Sequence, residues 1–187
     1  MAESAKTVAT GEDVVEFLKA QHERIKSLFG EVLDSKGEDR EELFVQLRRL
    51  LAVHETAEEE IVHPRARELP DGEQVVAARL DEEHQAKEAL RDLEKLDVDS
   101  AEFDEMFRKL SRDVLAHAEA EEQKEFAALA KALQEPELKR MRNAVEFAER
   151  IAPTRPHPGV ESAGANMLAG PFAMMIDRAR DAIHGKG

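Results

Sequence analysis

His54-Glu-Thr-Ala-Glu58-Glu59 and His117-Ala-Glu-Ala-Glu121-Glu122 are two copies of one pattern, a histidine followed four residues later by a pair of glutamates. In an α-helix, positions i and i+4 differ by only about 40°, so each histidine shares a face with the first glutamate of its pair. That face is the apolar one. Leu43, Leu47, Leu50 and Leu51 lead into His54, Glu58 and Ile61, while Phe103, Met106, Phe107, Leu110 and Val114 lead into His117 and Glu121. A carboxylate on a core stripe is costly unless something positive meets it. Two such helices, with further histidines, predict a buried cation.

Working outward from the two motifs, hydrophobic periodicity marks four helices. The first carries Val14, Leu18, His22, Ile25, Phe29 and Val32 and opens near Thr10 and Asp13, which resemble a capping pair. Ser35-Lys-Gly37-Glu-Asp39 ends it. The second runs from about Asp39 to His63, where Pro64 is expected to stop it. Leu69-Pro-Asp-Gly72 makes the next turn. The third spans about Glu73 to Leu96 with Val76, Ala77, Leu80 and His84 on one side, and Leu90, Leu93 and Leu96 drift off that face. The fourth runs from about Ala101 to Gln134.

The expected fold is therefore all-α. It comprises a flexible tail at 1–11, an up-down-up-down four-helix bundle at 12–134, and a C-terminal helical extension at 135–187. The extension would hold a helix from Pro136 to Ile151 carrying Leu138, Met141, Val145 and Ala148. A stiff linker, Pro153-Thr-Arg-Pro-His-Pro158, and a last amphipathic helix after Gly170-Pro171 complete it.

His22 to His84 is 62 residues and His54 to His117 is 63, so the two hairpins read as copies of one unit, through duplication or only through the shared geometry of two helical hairpins. Counted from the turn centres, neighbouring histidines differ in height by roughly 3–5 Å along the helix axes. Short connections then bring His22, His54, His84 and His117 into one layer of the core. A lone histidine on an apolar stripe is more often a hydrogen-bonded core residue than a ligand. Four at one height, with Glu58 and Glu121 beside them, point to metal, and such donors suit iron, manganese or zinc. His63, nine residues past His54, is expected about 180° away and at the surface. Glu59, Glu60, Glu119 and Glu122 read as a solvated face, and His157 and His184 as linker and tail residues.

Composition excludes several other classes. A net charge of −14 with no long basic run argues against nucleic acid or an anionic membrane as partner. The absence of cysteine removes disulfides and thiolate ligands. The N-terminal stretch has no apolar core segment, and Ala165 to Ile176 is too short to span a bilayer, so a cytoplasmic protein is expected.

His22, His54, Glu58, His84, His117 and Glu121, in that order along four helices, resemble the hemerythrin-like (HHE cation-binding) family over roughly residues 12–130. The resemblance implies two iron ions, oxo- or hydroxo-bridged, with the carboxylates of Glu58 and Glu121 between them; zinc or manganese would fit the same donors. Oxygen-carrying members have a second histidine four residues after that of the third helix, where this chain has Glu88. They also place an aspartate five residues after the last histidine, where this chain offers Glu121 at four and Glu122 at five. Glu121 is the better placed, because five residues rotate a straight helix about 140°. Glu88 is carried as a further candidate ligand.

The resemblance implies dioxygen or hydrogen peroxide as the small-molecule partner, and the two departures favour catalase-like peroxide decomposition over oxygen carriage. No general base or pocket for a large organic substrate is legible. The alternative is an oxygen, iron or redox sensor signalling through the C-terminal helices.

Overall fold

The computed structural model describes residues 13–151, and within them the regular structure is entirely helical. Seven α-helices follow in order: α1 (Val14–Asp34), α2 (Gly37–Ala57), α3 (His63–Arg67), α4 (Gly72–Leu93), α5 (Ala101–Ala120), α6 (Ala127–Ala132) and α7 (Glu135–Ile151). π-helical turns at Glu58–Val62 and Glu121–Phe126 join α2 to α3 and α5 to α6 without a break. The bundle is thus four long helical runs, α1 packing on α2 and α4 on α5, with α7 laid against α1 and α2. The linker and last helix expected beyond Ile151 lie outside the described residues, as does the tail.

Local chemistry sets the helix ends. Asp13 caps α1, its Oδ1 accepting the Val15 and Glu16 backbone N–H groups at 2.9 and 3.0 Å, and Thr10 lies outside the described residues. Ser100 caps α5 by accepting the Phe103 N–H at 3.1 Å. At the turn before α4, Asp71 takes a left-handed φ of 61°. A Cβ on Gly72 would lie 2.0 Å from the Ala66 carbonyl oxygen, so only glycine lets the chain pass.

Pro64 does not stop the second helical run. The π turn ahead of it pairs the His63 N–H with the Glu58 carbonyl, one residue farther back than an α-helix would. Pro64 then opens α3 as a first-turn residue, where its missing N–H costs nothing.

The core comes in two blocks with a polar layer between them. One block gathers Phe29, Phe44, Leu47, Leu90, Phe103 and Phe107 with their neighbours. Phe103 stacks on Phe107 at 5.3 Å and meets Phe44 edge-on at 5.1 Å, the geometry aromatic rings favour. The other block joins Val14, Leu18, Ile61 and Phe126 to Leu138, Met141, Val145 and Ala148 of α7. The layer dividing them holds the two sequence motifs.

One register differs from the expectation. α4 buries Val76, Arg79, Glu83, Ala86, Leu90 and Leu93, an unbroken stripe spaced alternately three and four residues apart. Leu90 and Leu93 therefore do not drift; they continue a stripe whose upstream members include Arg79 and Glu83. Following apolar residues alone selected Ala77 and Leu80, and so rotated the helix by about one residue, or about 100°.

Candidate metal centre

His54 enters the polar layer from α2 and is 3% exposed; Glu58, four residues on, is fully buried. From α1 comes His22, 5% exposed, and from the second π turn Glu121, fully buried. The ligand atoms of these four side chains lie within 4.8 Å of one another. His22 Nε2 and His54 Nε2 stand 3.0 Å apart, and His54 Nε2 is 3.2 Å from Glu58 Oε2. Glu121 divides its oxygens. Its Oε2 is 3.5 Å from His22 Nε2 and its Oε1 3.3 Å from His117 Nε2.

Each of the three imidazoles is oriented from behind. His54 Nδ1–H donates to Gln21 Oε1 at 2.7 Å, His22 Nδ1–H to Glu122 Oε1 at 2.9 Å, and His117 Nδ1–H to Glu82 Oε2 at 2.8 Å. With Nδ1 donating, a neutral ring turns its Nε2 lone pair into the layer, as metal-ligating histidines do. Both oxygens of Glu58 and both of Glu121 are buried without a hydrogen-bond donor. Two ring nitrogens at 3.0 Å, beside four carboxylate oxygens without a donor, call for a positive charge, either a proton shared between His22 and His54 or a metal ion. The donor set fits a borderline cation such as iron, zinc or manganese.

Burial, with the Glu121 charge beside it, pushes the Glu58 carboxyl well above the usual range. Burial also acts upward on Glu121, but the His117 and His22 imidazoles outweigh it and hold that carboxyl below its ordinary value. Burial and the His22 charge keep His54 well below 6.5. Burial opposes charge on His117 too, yet contact with Glu121 raises it to about 9.

His84, placed in the layer by sequence spacing, and Glu88, a candidate through the family resemblance, are not brought there. Their side chains are 45% and 52% exposed and face each other at 3.7 Å on the outer side of α4. Glu83 takes the inward position instead, 2% exposed and grouped with His117 and Glu121 within 4.8 Å. The cause is the register of α4 described above.

His63 also departs from its expectation, being 1% exposed rather than at the surface. The π turn sets residues beyond it back by about one position, so the rotation expected for a straight helix does not apply. His63 Nε2–H donates to Glu83 Oε1 at 2.7 Å and its Nδ1–H to Glu125 Oε1 at 2.8 Å. Burial disfavours the imidazolium, but these two carboxylates win and raise it to about 10. Of the glutamates read as solvated, Glu122 holds His22 and Glu59 pairs with Lys87. Glu55, Glu83 and Glu125 belong to the buried layer and were missed; a charged residue one helical step from an apolar stripe looks like surface.

A cavity of about 300 Å³ opens beside the layer, between α1, α2, α4 and α5. Ile25, Leu51, Ala86 and Leu110 line it, and His54 and His117 border it. This is room that the sequence did not reveal.

Fold and site together define an all-helical cation-binding bundle. Residues 13–129 match the Hemerythrin HHE cation binding domain, and the chain belongs to that family. A solved structure, a hemerythrin HHE cation binding domain-containing protein from Mycobacterium kansasii, superposes with a TM-score of 0.67 at 19% identity, covering 89% of this chain and 98% of that one. A DNA nickase from Nostoc sp. is 26% identical over 156 residues, 83% of this chain but 44% of that protein. The chain thus spans less than half the length of the curated relative it matches. No helix among the described residues is long and apolar enough to cross a membrane.

Proposed function

We propose that this chain holds a non-haem two-iron centre in its polar layer and decomposes hydrogen peroxide, with dioxygen as the other small molecule it would meet. The observation that carries the reading is the set of three imidazoles, each tied at Nδ1, turned toward the undonated carboxylates of Glu58 and Glu121. His22, His54, His117 and Glu58 would ligate, and Glu121, grouped with both His54 and His117, would bridge. Glu83 replaces His84 and Glu88 as the contribution of α4. Two adjacent irons would supply a two-electron couple, matching the two electrons that peroxide gains or gives up.

The side chains do the rest. Gln21, Glu122 and Glu82 fix ring orientation and raise ligand basicity. The 300 Å³ cavity, where Ile25, Leu51 and Leu110 alternate with Glu82, Lys109 and Asp113, leaves room for a small molecule beside the layer.

Oxygen evolution on peroxide addition tests this reading. Iron-loaded protein should release one O₂ for every two peroxides consumed, while zinc-loaded protein should release none. Equal rates from the two preparations would overturn it. Supercoiled plasmid incubated with the same protein should remain uncut; the net charge of −14 opposes docking of a polyanion.

A sensor reading has one observation in its favour. Gln21, which holds His54, donates from its Nε2 to Glu149 Oε1 of α7 at 2.6 Å. α7 is thereby two hydrogen bonds from a ligand. Metal-dependent protection of α7 from proteolysis would support signalling through it.

A further inference from the structure

The two hairpins are copies in sequence but unequal at the layer. On one side, Gln21 orients His54, and His22 reaches inward. On the other, Glu82 orients His117, and Glu83 reaches inward. Structural equivalence is thus offset by one residue from the sequence repeat, which would have matched His22 with His84. The π turns differ in the same sense: Val62 and His63 of one copy correspond to Glu125 and Phe126 of the other. Phe126 stacks on His22 at 5.5 Å, whereas His63 binds Glu83 and Glu125.

His63 uses only one oxygen of each of those carboxylates. Oε2 of Glu83 and Oε2 of Glu125 remain buried without a hydrogen-bond donor, although Lys87 Nζ stands 3.8 Å from the former. Glu83, His117 and Glu121 place ligand atoms within 4.8 Å of one another, and Glu125 joins Glu121 within the same span. His63 is therefore a positioning residue that aligns two carboxylates.

We propose that the layer contains two unequal cation positions sharing Glu121: a nitrogen-rich one at His22, His54 and Glu58, and an oxygen-rich one at Glu83 and His117 flanked by Glu125, the second being the one that accepts manganese(II). The proposal rests on the two-metal reading above and specifies its second position. Imidazole-rich sets favour iron and zinc, whereas carboxylate-rich sets accommodate the harder manganese ion. Iron offered alone fills both positions. Manganese enters one.

Metal content separates these outcomes without any activity measurement. Chelator-treated protein receives excess Mn(II) anaerobically, either alone or after one equivalent of Fe(II), is desalted, and is analysed by plasma mass spectrometry and Mn(II) paramagnetic resonance. The expected result is about one manganese per chain in both cases, joined by about one iron in the second. Glu83→Gln, close to isosteric, should lose the manganese and keep the iron, while His84→Ala keeps both. About two manganese ions per chain binding with one affinity would overturn the proposal. So would iron filling both positions while manganese binds nowhere, or manganese lost from His84→Ala and kept in Glu83→Gln. Failure to retain either metal would sink the underlying two-metal reading, and this proposal with it.

Discussion

His63 Nε2 lies 2.7 Å from Glu83 Oε1, and neither side chain is more than 2% exposed. This pair joins the end of one π turn to the inner face of α4, and Glu125 closes it from the other π turn at 2.8 Å. Breaking a buried ion pair by removing one partner costs about 3–5 kcal/mol. His63→Phe, which installs the residue of the second copy, should therefore destabilise the metal-free protein by about that amount in urea denaturation. Adding Glu125→Val, the residue of the first copy, should recover part of the loss. An unchanged midpoint for His63→Phe would show that the pair carries no stability.

Stability of the metal-free protein should decline as pH rises. Burial lifts Glu55 to about 8 and Glu83 to about 7, so the folded state keeps protons that the unfolded chain has already lost. His63 at about 10 and His117 at about 9 stabilise fully below 6.5, and that contribution fades as pH climbs through the folded values. All four act in one direction. Glu121 and His54, both lowered in the folded state, act oppositely, the first below 4.5 and the second below 6.5. The melting temperature should peak near about pH 5 and fall toward about pH 9. Metal would replace protons at Glu83 and His117, so loading at neutral pH should release protons, measurable in weakly buffered solution with an indicator dye.

Gln21→Leu tests orientation from behind. The substitution removes the acceptor for His54 Nδ1–H and the donor to Glu149. Loss of such a partner costs about 10–100-fold in metal affinity. A chelator competition titration should register that loss, and an affinity equal to wild type would remove Gln21 from the account.

Phe107→Ala serves as the contrasting case. Phe107 is fully buried against Phe29, Phe44 and Phe103, in the core block away from α7. Its truncation should cost about 3–5 kcal/mol of folding stability. Metal stoichiometry below the melting point should stay unchanged, which plasma mass spectrometry checks directly.

The helical architecture and most of the layer were legible because two periodicities coincide there. His54–Glu58 and His117–Glu121 each combine a four-residue step with an apolar stripe, and both signals survive in a single sequence. The α4 contribution was not legible for the opposite reason. Arg79 and Glu83 occupy core positions while Ala77 and Leu80 lie off them, so an apolar count points to the wrong face. His63 was hidden by the π turn, whose extra residue leaves no mark in composition. Glu125 was hidden by the same device in the second copy.

The account stands or falls on whether the layer holds metal through the residues that face it. Iron content after anaerobic reconstitution and desalting measures this for wild type, His54→Ala, His117→Ala and His84→Ala side by side. Wild type and His84→Ala should retain about two ions per chain, and the other two variants about one or fewer. Wild-type iron content in both His54→Ala and His117→Ala, or no retained iron in the wild type, would contradict it.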